Sequence, residues 1–105
     1  MNTVEIPSHL KGEDVLTVKS VVEEYGYDHW AFLSWMSLYP TNNITYKIIC
    51  KDGLIIKEHM IFDDQRGLYS TYAEKNDNDQ ITEYTISCDE WTDPYTGFAL
   101  VIGKP

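Results

Sequence analysis

The sequence predicts an α+β fold, in which one or two N-terminal helices pack on an antiparallel β-meander of about five strands. Two observations favour this class. Apolar residues recur at three- and four-residue steps near the N-terminus, whereas from Ile44 onward they form short β-rich runs separated by turn residues. The length of 105 residues fits a single domain, residues 1–105, that buries one core without a disulfide or a metal.

The first predicted helix spans Gly12 to Tyr25. Val15, Val18 and Val22 recur there at the spacing of one helix face. Gly26 follows directly, and a glycine at this place is typical of a left-handed helix cap. We therefore expect the helix to end at Tyr25.

The next segment, Tyr27 to Tyr39, is compatible with a helix or with a buried strand. Asp28 is a suitable helix cap, and the apolar residues do not alternate as they would in a half-buried strand. We favour the helix on this basis. Pro40 ends the element under either interpretation.

A β-hairpin is the strongest prediction in the second half of the chain. The runs Ile44 to Cys50 and Leu54 to Phe62 flank Asp52-Gly53, a dipeptide that favours a two-residue hairpin turn. In that register Lys47 would lie opposite Glu58 as a favourable cross-strand charge pair.

Three further strands complete the predicted meander. They are Leu68 to Ala73, Ile81 to Cys88 and Phe98 to Ile102, and a polar tip, Lys75 to Gln80, joins the first two. Alternation within the second of these strands predicts one face turned towards the core. The residues expected on that face are Thr82, Tyr84, Ile86 and Cys88. Short antiparallel connections leave no βαβ crossover, and hence no Rossmann-type site.

The charge of the chain is concentrated in one segment. Between Glu58 and Asp93 there are ten acids and two bases, a net charge of −8 out of −9 for the whole chain. Such a field repels nucleic acid and anionic membranes and attracts basic surfaces. We therefore expect a protein partner with a basic surface, and neither direct nucleic-acid binding nor membrane binding.

The acids fall mainly in turns, and alternate turns of a meander lie at opposite ends of the sheet. The sequence therefore predicts two acidic poles rather than one stripe. The predicted partner-binding pole consists of Asp63, Asp64, Asp89, Glu90, Trp91 and Asp93, and the secondary acidic pole consists of Glu74, Asp77 and Asp79. The tryptophan of the first pole either anchors a partner as a hot spot or folds back over the sheet.

No residue set predicts catalysis, so we expect neither an enzyme nor a cofactor. His59 is expected as a half-buried strand residue near carboxylates, but no nucleophile stands at a defined position. His29 is expected at a helix start and His9 in an N-terminal arm. Asp77-Asn78-Asp79 lacks the glycine and glutamate spacing of a calcium loop, so we expect no metal site.

The segment Thr71 to Ile102, which ends in Asp93-Pro-Tyr-Thr-Gly-Phe-Ala-Leu-Val-Ile102, resembles the C-terminal hairpins of the phage uracil-DNA glycosylase inhibitor family. It covers under a third of the chain. The resemblance implies an acidic DNA mimic with two helices before an antiparallel sheet. The Gln-Glu-Ser edge segment of that family has no counterpart here, so the resemblance assigns no functional residue.

These observations predict a small acidic inhibitor or decoy of phage or mobile-element type, acting on a host nucleic-acid enzyme or defence protein, with DNA mimicry as one route. One alternative is an immunity or antitoxin-like protein that neutralises a toxin. The other is a structural subunit or a small-molecule-binding domain, the latter with a pocket between helix and sheet lined by Trp30, Trp35, Tyr46 and His59. The N-terminus lacks the basic and apolar parts of a signal peptide, which favours the cytoplasm, or the host cytoplasm for a viral protein.

Overall fold

The computed structural model describes residues 2–12, 14–35, 44–62, 68–90 and 97–105. These residues form one curled, mixed sheet with the shape of a half-barrel, together with one short helix. The elements are β1 (Asn2–Ile6), β2 (Val15–Leu16), α1 (Lys19–Tyr25), β3 (Trp30–Trp35), β4 (Ile44–Cys50), β5 (Ile55–Phe62), β6 (Leu68–Lys75), β7 (Ile81–Glu90) and β8 (Gly97–Gly103).

The strand order is β1-β4-β7-β5-β8-β3-β2. β6 lies off this path and pairs with β7 along the edge opposite to β4 and β5. β1 runs parallel to β4, whereas the other described pairs are antiparallel. The predicted α+β fold, with one or two helices on a meander, is therefore wrong, because the described chain is mostly β and strands distant in sequence make most of the sheet. The predicted hairpin of β6 and β7 is confirmed.

The turn after β4 has the predicted conformation but does not form a hairpin. Asp52 and Gly53 have φ values of 55° and 79°, the positive values that a type I′ turn requires. The N–H of Leu54 donates to the carbonyl of Lys51 at 3.1 Å. Nevertheless, β4 and β5 are not neighbours in the described sheet.

β4 and β5 instead follow one another along one edge of β7. Both run antiparallel to β7, and Ile56 of β5 pairs with Ile81 just beyond the part of β7 that β4 covers. β5 then leaves this edge and pairs with β8. The predicted pair of Lys47 with Glu58 is therefore wrong, and Lys47 pairs with Thr85 instead.

The first predicted helix is shorter than expected. Its helical part is Lys19–Tyr25, whereas Val15–Leu16 forms β2 and pairs with β3. The N-cap residue, Val18, offers no side-chain oxygen for a capping hydrogen bond, and β-branched valines favour strands over helices. The predicted end at Tyr25 is confirmed, and the N–H of Gly26 donates to the carbonyl of Val22 at 2.9 Å. The predicted left-handed cap is wrong, because Gly26 has a φ of 118° and a ψ of 171°, outside the left-handed helical region.

The second predicted helix is wrong. Trp30–Trp35 forms β3, which lies between β2 and β8. Phe32 is 1% exposed on one face of this strand, and Ala31 is 6% exposed on the other. A strand covered on both faces carries apolar residues at consecutive positions, so missing alternation does not exclude a strand. Residues 36–39 of the predicted element lie outside the described residues.

The hydrophobic core lies on one face of the sheet, which we call the inner face. Its fully buried large side chains are Ile6, Phe32, Ile48, Tyr84, Ile86, Phe98, Leu100 and Ile102. Tyr84 and Ile86 are two of the inward residues predicted for β7. Burying an aliphatic or phenyl side chain of this size stabilises a fold by about 1.5–3 kcal/mol. The opposite, outer face is partly covered by α1, which packs against β3.

Candidate functional site

The loop that joins β6 to β7 holds part of the secondary acidic pole, and Asn76 organises it. Oδ1 of Asn76 accepts hydrogen bonds from the N–H groups of Asn78 and Gln80 at 2.9 and 3.1 Å. The N–H of Asp79 donates to the carbonyl of Asn76 at 3.0 Å. These bonds hold the backbone of the tip in one conformation, with Asp77 and Asp79 exposed.

Two glutamates lie beside this tip on the outer face. Glu74 of β6 and Glu83 of β7 are direct cross-strand partners. Burial, together with a hydrogen bond to Glu74, raises the pKa of the Glu83 carboxyl, and the charge of Lys47 opposes this shift. Glu83 therefore binds a proton more readily than a fully solvated glutamate does. We call Glu74, Asp77, Asp79 and Glu83 the acidic end of the protein.

Two lysines already accompany the acidic end. Nζ of Lys75 lies 3.3 Å from Asp79, and Nζ of Lys47 lies 4.0 Å from Glu83. Four acids against two lysines leave this end a net charge of −2. The electrostatic field at the acidic end is thus weaker than the charge of the whole segment from Glu58 to Asp93 indicates. The two lysine–carboxylate pairs contribute only about 0–1 kcal/mol each to stability.

Two members of the predicted partner-binding pole, Asp89 and Glu90, lie at the other end of β7. Asp89 and Glu90 are the last two residues of that strand, whereas the acidic tip directly precedes its first residue, Ile81. The structure therefore separates these two residues from the secondary pole. The remaining members, Asp63, Asp64, Trp91 and Asp93, lie outside the described residues, and the binding role of this pole stays a prediction.

Among the described residues, neither His59 nor His9 is paired with a serine, threonine or cysteine side chain. His59 is exposed rather than half-buried, and its Nδ1 lies 3.2 Å from the hydroxyl of Tyr84, a core residue that is 1% exposed. Nδ1 of His9, in the segment after β1, lies 2.9 Å from the backbone nitrogen of Glu5. The contact of His59 is thus with the hydroxyl of a buried tyrosine and that of His9 with a backbone nitrogen, rather than with a serine, threonine or cysteine side chain.

His29 differs most from its prediction. It is not at a helix start but in the segment between α1 and β3, where it is 4% exposed. Its Nδ1 lies 2.9 Å from Oδ1 of Asp28, and its ring stacks on Tyr25 with centroids 5.7 Å apart. Its buried Nε2 has no hydrogen-bond partner among the described residues. Nothing in the sequence pattern distinguishes this histidine from a surface residue.

A pocket lies between the helix and the sheet, as one alternative predicts, but two of its four predicted lining residues lie elsewhere. His59 is among the lining residues. Trp30 and Tyr46 instead pack against the core of the inner face, where Tyr46 meets Phe98 edge-on with ring centroids 5.4 Å apart. The side chain of Trp35 is not among those that the structure describes. The lining residues that the sequence did not indicate include Val21, Ala31, Leu33, Met60, Ala99 and Val101.

A metal centre is not formed by the residues that the structure describes. Among them, no group of three or more His, Cys, Asp or Glu side chains is placed to hold a metal ion. Cys50 is a free, half-buried cysteine at the end of β4, and burial raises the pKa of its thiol to about 12. A thiol in this state is a poor metal ligand and a poor nucleophile, since both roles need the thiolate.

Comparison with known proteins leaves the chain without an assigned family. No protein family, curated protein or solved structure matches it. The resemblance to the uracil-DNA glycosylase inhibitors thus gains no support, and the second helix that it implies is the strand Trp30–Trp35. Across the described ranges, no helix has the length and apolar character needed to cross a membrane.

Proposed function

We propose that this protein is a small, non-catalytic inhibitor or decoy that binds the basic surface of another protein. The observation that carries the proposal is the acidic end, where a hydrogen-bonded hairpin presents Asp77 and Asp79 beside the glutamate pair of the outer face. The partner would be a nucleic-acid enzyme or a defence protein with a basic surface, which such a group of acids attracts. A phage or mobile-element protein of this type would act in the host cytoplasm.

An exposed aromatic residue supports the same surface. Tyr72 of β6 is 63% exposed and lies on the outer face, two residues before Glu74. Tyrosine is enriched among residues that dominate binding energy, because it combines a large apolar ring with a hydroxyl group. Tyr72 therefore provides an apolar contact beside carboxylates that steer a basic partner towards it.

The carboxylates of the acidic end differ in whether a partner has to break an existing ion pair before binding them. Asp79 and Glu83 each lie within 4.0 Å of a lysine, whereas Asp77 forms no ion pair with a described residue. An arginine or lysine of the partner can pair with Asp77 without breaking an existing contact. We therefore expect Asp77 to contribute more to the affinity than Asp79.

Affinity capture at two salt concentrations tests this proposal. The immobilised protein is incubated with a lysate of its native host, and bound proteins are identified by mass spectrometry. A specific partner should bind wild type at low salt and dissociate at high salt, since salt screens exposed charges over a Debye length of ~10 Å at 0.1 M. The double variant Asp77→Asn/Asp79→Asn should lose this partner.

A charge-matched variant provides the control. Asp14→Asn/Glu23→Gln also removes two negative charges, but from exposed positions outside the acidic end. It should retain the partner. Equal loss in both variants would indicate a nonspecific effect of net charge, and capture that is insensitive to salt and to Asp77 and Asp79 would contradict the proposal.

A further inference from the structure

A pocket of about 280 Å³ lies between α1 and the outer face of the sheet. Its floor consists of two rows of residues across the neighbouring strands β3, β8 and β5. Ala31, Val101 and Glu58 form one row, and Leu33, Ala99 and Met60 form the next. The pocket lies on the opposite side of the sheet from the main core.

The floor has this composition because of a bulge in β5. The register shifts between Ile56 and Glu58, so that Ile56 pairs with the inner residue Ile102 while Glu58 pairs with Val101. Without the extra residue, positions 56 and 58 would share a face. The bulge therefore places a carboxylate next to the apolar floor.

The pocket exists because small side chains meet a short helix. Ala31 and Ala99 leave space above β3 and β8, and α1 has only seven residues with which to cover it. Val21 is the buried residue of α1, and Met60 remains 56% exposed at the pocket. When an apolar ligand covers a surface left exposed in this way, the removal of that surface from water stabilises the complex.

Tyr25 forms one wall and links the helix to the sheet. It is the last residue of α1, and a hydrogen bond to Glu58 of β5 raises its pKa to about 12. Nζ of Lys57 lies 5.8 Å from the centre of the Tyr25 ring. Since Tyr25 donates only one hydrogen bond to Glu58, the carboxylate keeps acceptor capacity for a second donor.

The charged groups of the pocket are acidic. Glu24 of α1 and Glu58 of β5 are the two charged side chains among the lining residues that the structure describes, apart from the titratable His59. The nearby cation, Lys57, lies over the tyrosine ring. An apolar floor beside two carboxylates is complementary to a ligand with an apolar body and a positively charged end.

We propose that this pocket binds a small organic cation, namely a primary amine on a short aromatic or aliphatic body. The body would lie on Ala31, Ala99 and Val101, and the ammonium group would donate to Glu58 and Glu24. An apolar cavity of about 150 Å³ in a protein holds a benzene molecule. A pocket of about 280 Å³ thus has room for one ring and a short amine-bearing chain.

Titration with 2-phenylethylamine, followed by two-dimensional NMR of the isotope-labelled protein, tests the proposal. Saturable shifts are expected for the backbone amides of Ala31, Leu33, Ala99 and Val101. The neutral isostere 2-phenylethanol should bind at least ~10-fold more weakly, because its hydroxyl cannot form a charge-assisted hydrogen bond with the carboxylates. Phenylacetate, which carries the opposite charge, should not bind.

Two variants separate the apolar and the charged contributions. Ala99→Leu fills the floor and should abolish the shifts, with the dispersion of the spectrum reporting whether the fold is retained. Glu58→Gln keeps the shape and the acceptor for Tyr25, and should lower the amine affinity towards that of the alcohol, with Glu24 as the carboxylate that remains. Glu83→Gln, on the outer face away from the pocket, is the matched control and should bind the amine as wild type does.

Four results would overturn the proposal: no saturable binding by wild type, equal binding of amine and alcohol, retained affinity in Glu58→Gln, or retained shifts in a folded Ala99→Leu. The inference does not depend on the acidic end. Asp77→Asn/Asp79→Asn should bind the amine unchanged, so failure of either proposal is recognised separately.

Discussion

The imidazole of His29 packs directly on the backbone of Gly103, the last residue of β8, and leaves no room for a side chain there. A β-carbon at position 103 would overlap with ring atoms Cδ2 and Cγ of His29. The same ring stacks on Tyr25, and its Nδ1 lies 2.9 Å from Oδ1 of Asp28. This contact joins the segment between α1 and β3 to the end of β8.

Gly103→Ala should therefore destabilise the fold. Overpacking in a well-packed region costs about 1–3 kcal/mol, and the free energy of unfolding from chemical denaturation should fall by that amount. The double variant His29→Ala/Gly103→Ala relieves the overlap, so its destabilisation should be smaller than the sum of the two single effects. Additive effects would show that the two residues are not coupled.

Gly53 should be the sensitive position of the turn after β4. Its φ of 79° favours glycine, and no heavy atom lies within 4 Å of an added β-carbon, so Gly53→Ala tests backbone strain alone. The expected loss is about 1 kcal/mol in denaturant unfolding. Asp52→Asn at the preceding residue, whose φ is 55°, should be close to neutral because asparagine tolerates this conformation. Similar losses for both would contradict this assignment.

The turn also shows how far the sequence predicts the fold. Asp52-Gly53 does adopt the conformation that its residue types favour, and the strands on either side are found within one residue of their predicted bounds. The residue types within each segment determine both the turn conformation and the bounds of the strands. They do not determine which strand lies beside which, because pairing of β5 with β8 depends on contacts between residues more than 30 positions apart. The predicted hairpin therefore fails although its turn is right.

The prediction for the N-terminal third of the chain fails for a different reason. Trp30–Trp35 is buried on both faces, one by the core and one by α1, so it lacks the alternation by which a half-buried strand is recognised. The pocket on the outer face follows from this arrangement and from the bulge before Glu58. Neither has a local sequence signal, whereas the acidic tip does, because Asn and Asp residues in a run favour turns.

Glu83 should make stability depend on pH. Burial and the hydrogen bond with Glu74 raise its pKa in the folded state, so the fold favours the protonated form. The stability that comes from protonated Glu83 is fully present below the pKa of this residue in the unfolded chain, about 4.3. It is lost as the pH rises through the pKa of Glu83 in the folded protein. Removing the charge by Glu83→Gln should therefore increase stability at neutral pH, by about 0.5 kcal/mol for one cross-strand like-charge pair.

Chemical denaturation at two pH values checks this expectation. The gain of Glu83→Gln over wild type should be present at neutral pH and vanish below the unfolded pKa, where both proteins carry an uncharged side chain at position 83. Glu74→Gln should produce a gain of the same sign, because it removes the other member of the pair. A loss of stability at neutral pH would show that the contact with Lys47 outweighs the repulsion.

Cys50 should react slowly in the folded protein. Burial raises the pKa of its thiol to about 12. Since the thiolate is the reactive form and a free cysteine has a pKa of about 8.5, the reactive fraction should fall on the order of a thousandfold. In a Cys88→Ser background, the reaction with Ellman's reagent at mildly alkaline pH should be slow in buffer and fast in denaturant. Equal rates would contradict the burial of this thiol.

Asn76 should contribute most of the order in the acidic tip. Its Oδ1 accepts from two backbone N–H groups, and its Nδ2 donates to Gln80 at 3.0 Å. Asn76→Ala leaves those groups to water, so a moderate loss of about 1 kcal/mol is expected in denaturant unfolding. Asn78→Ala is the matched control, since it removes the same side chain from the same exposed loop and should change stability by less than about 0.5 kcal/mol. Amide hydrogen exchange should accelerate at Asn78 and Gln80 in the first variant, because their donors lose a fixed acceptor. Equal effects of the two substitutions would show that composition, rather than the hydrogen bonds of Asn76, orders the tip.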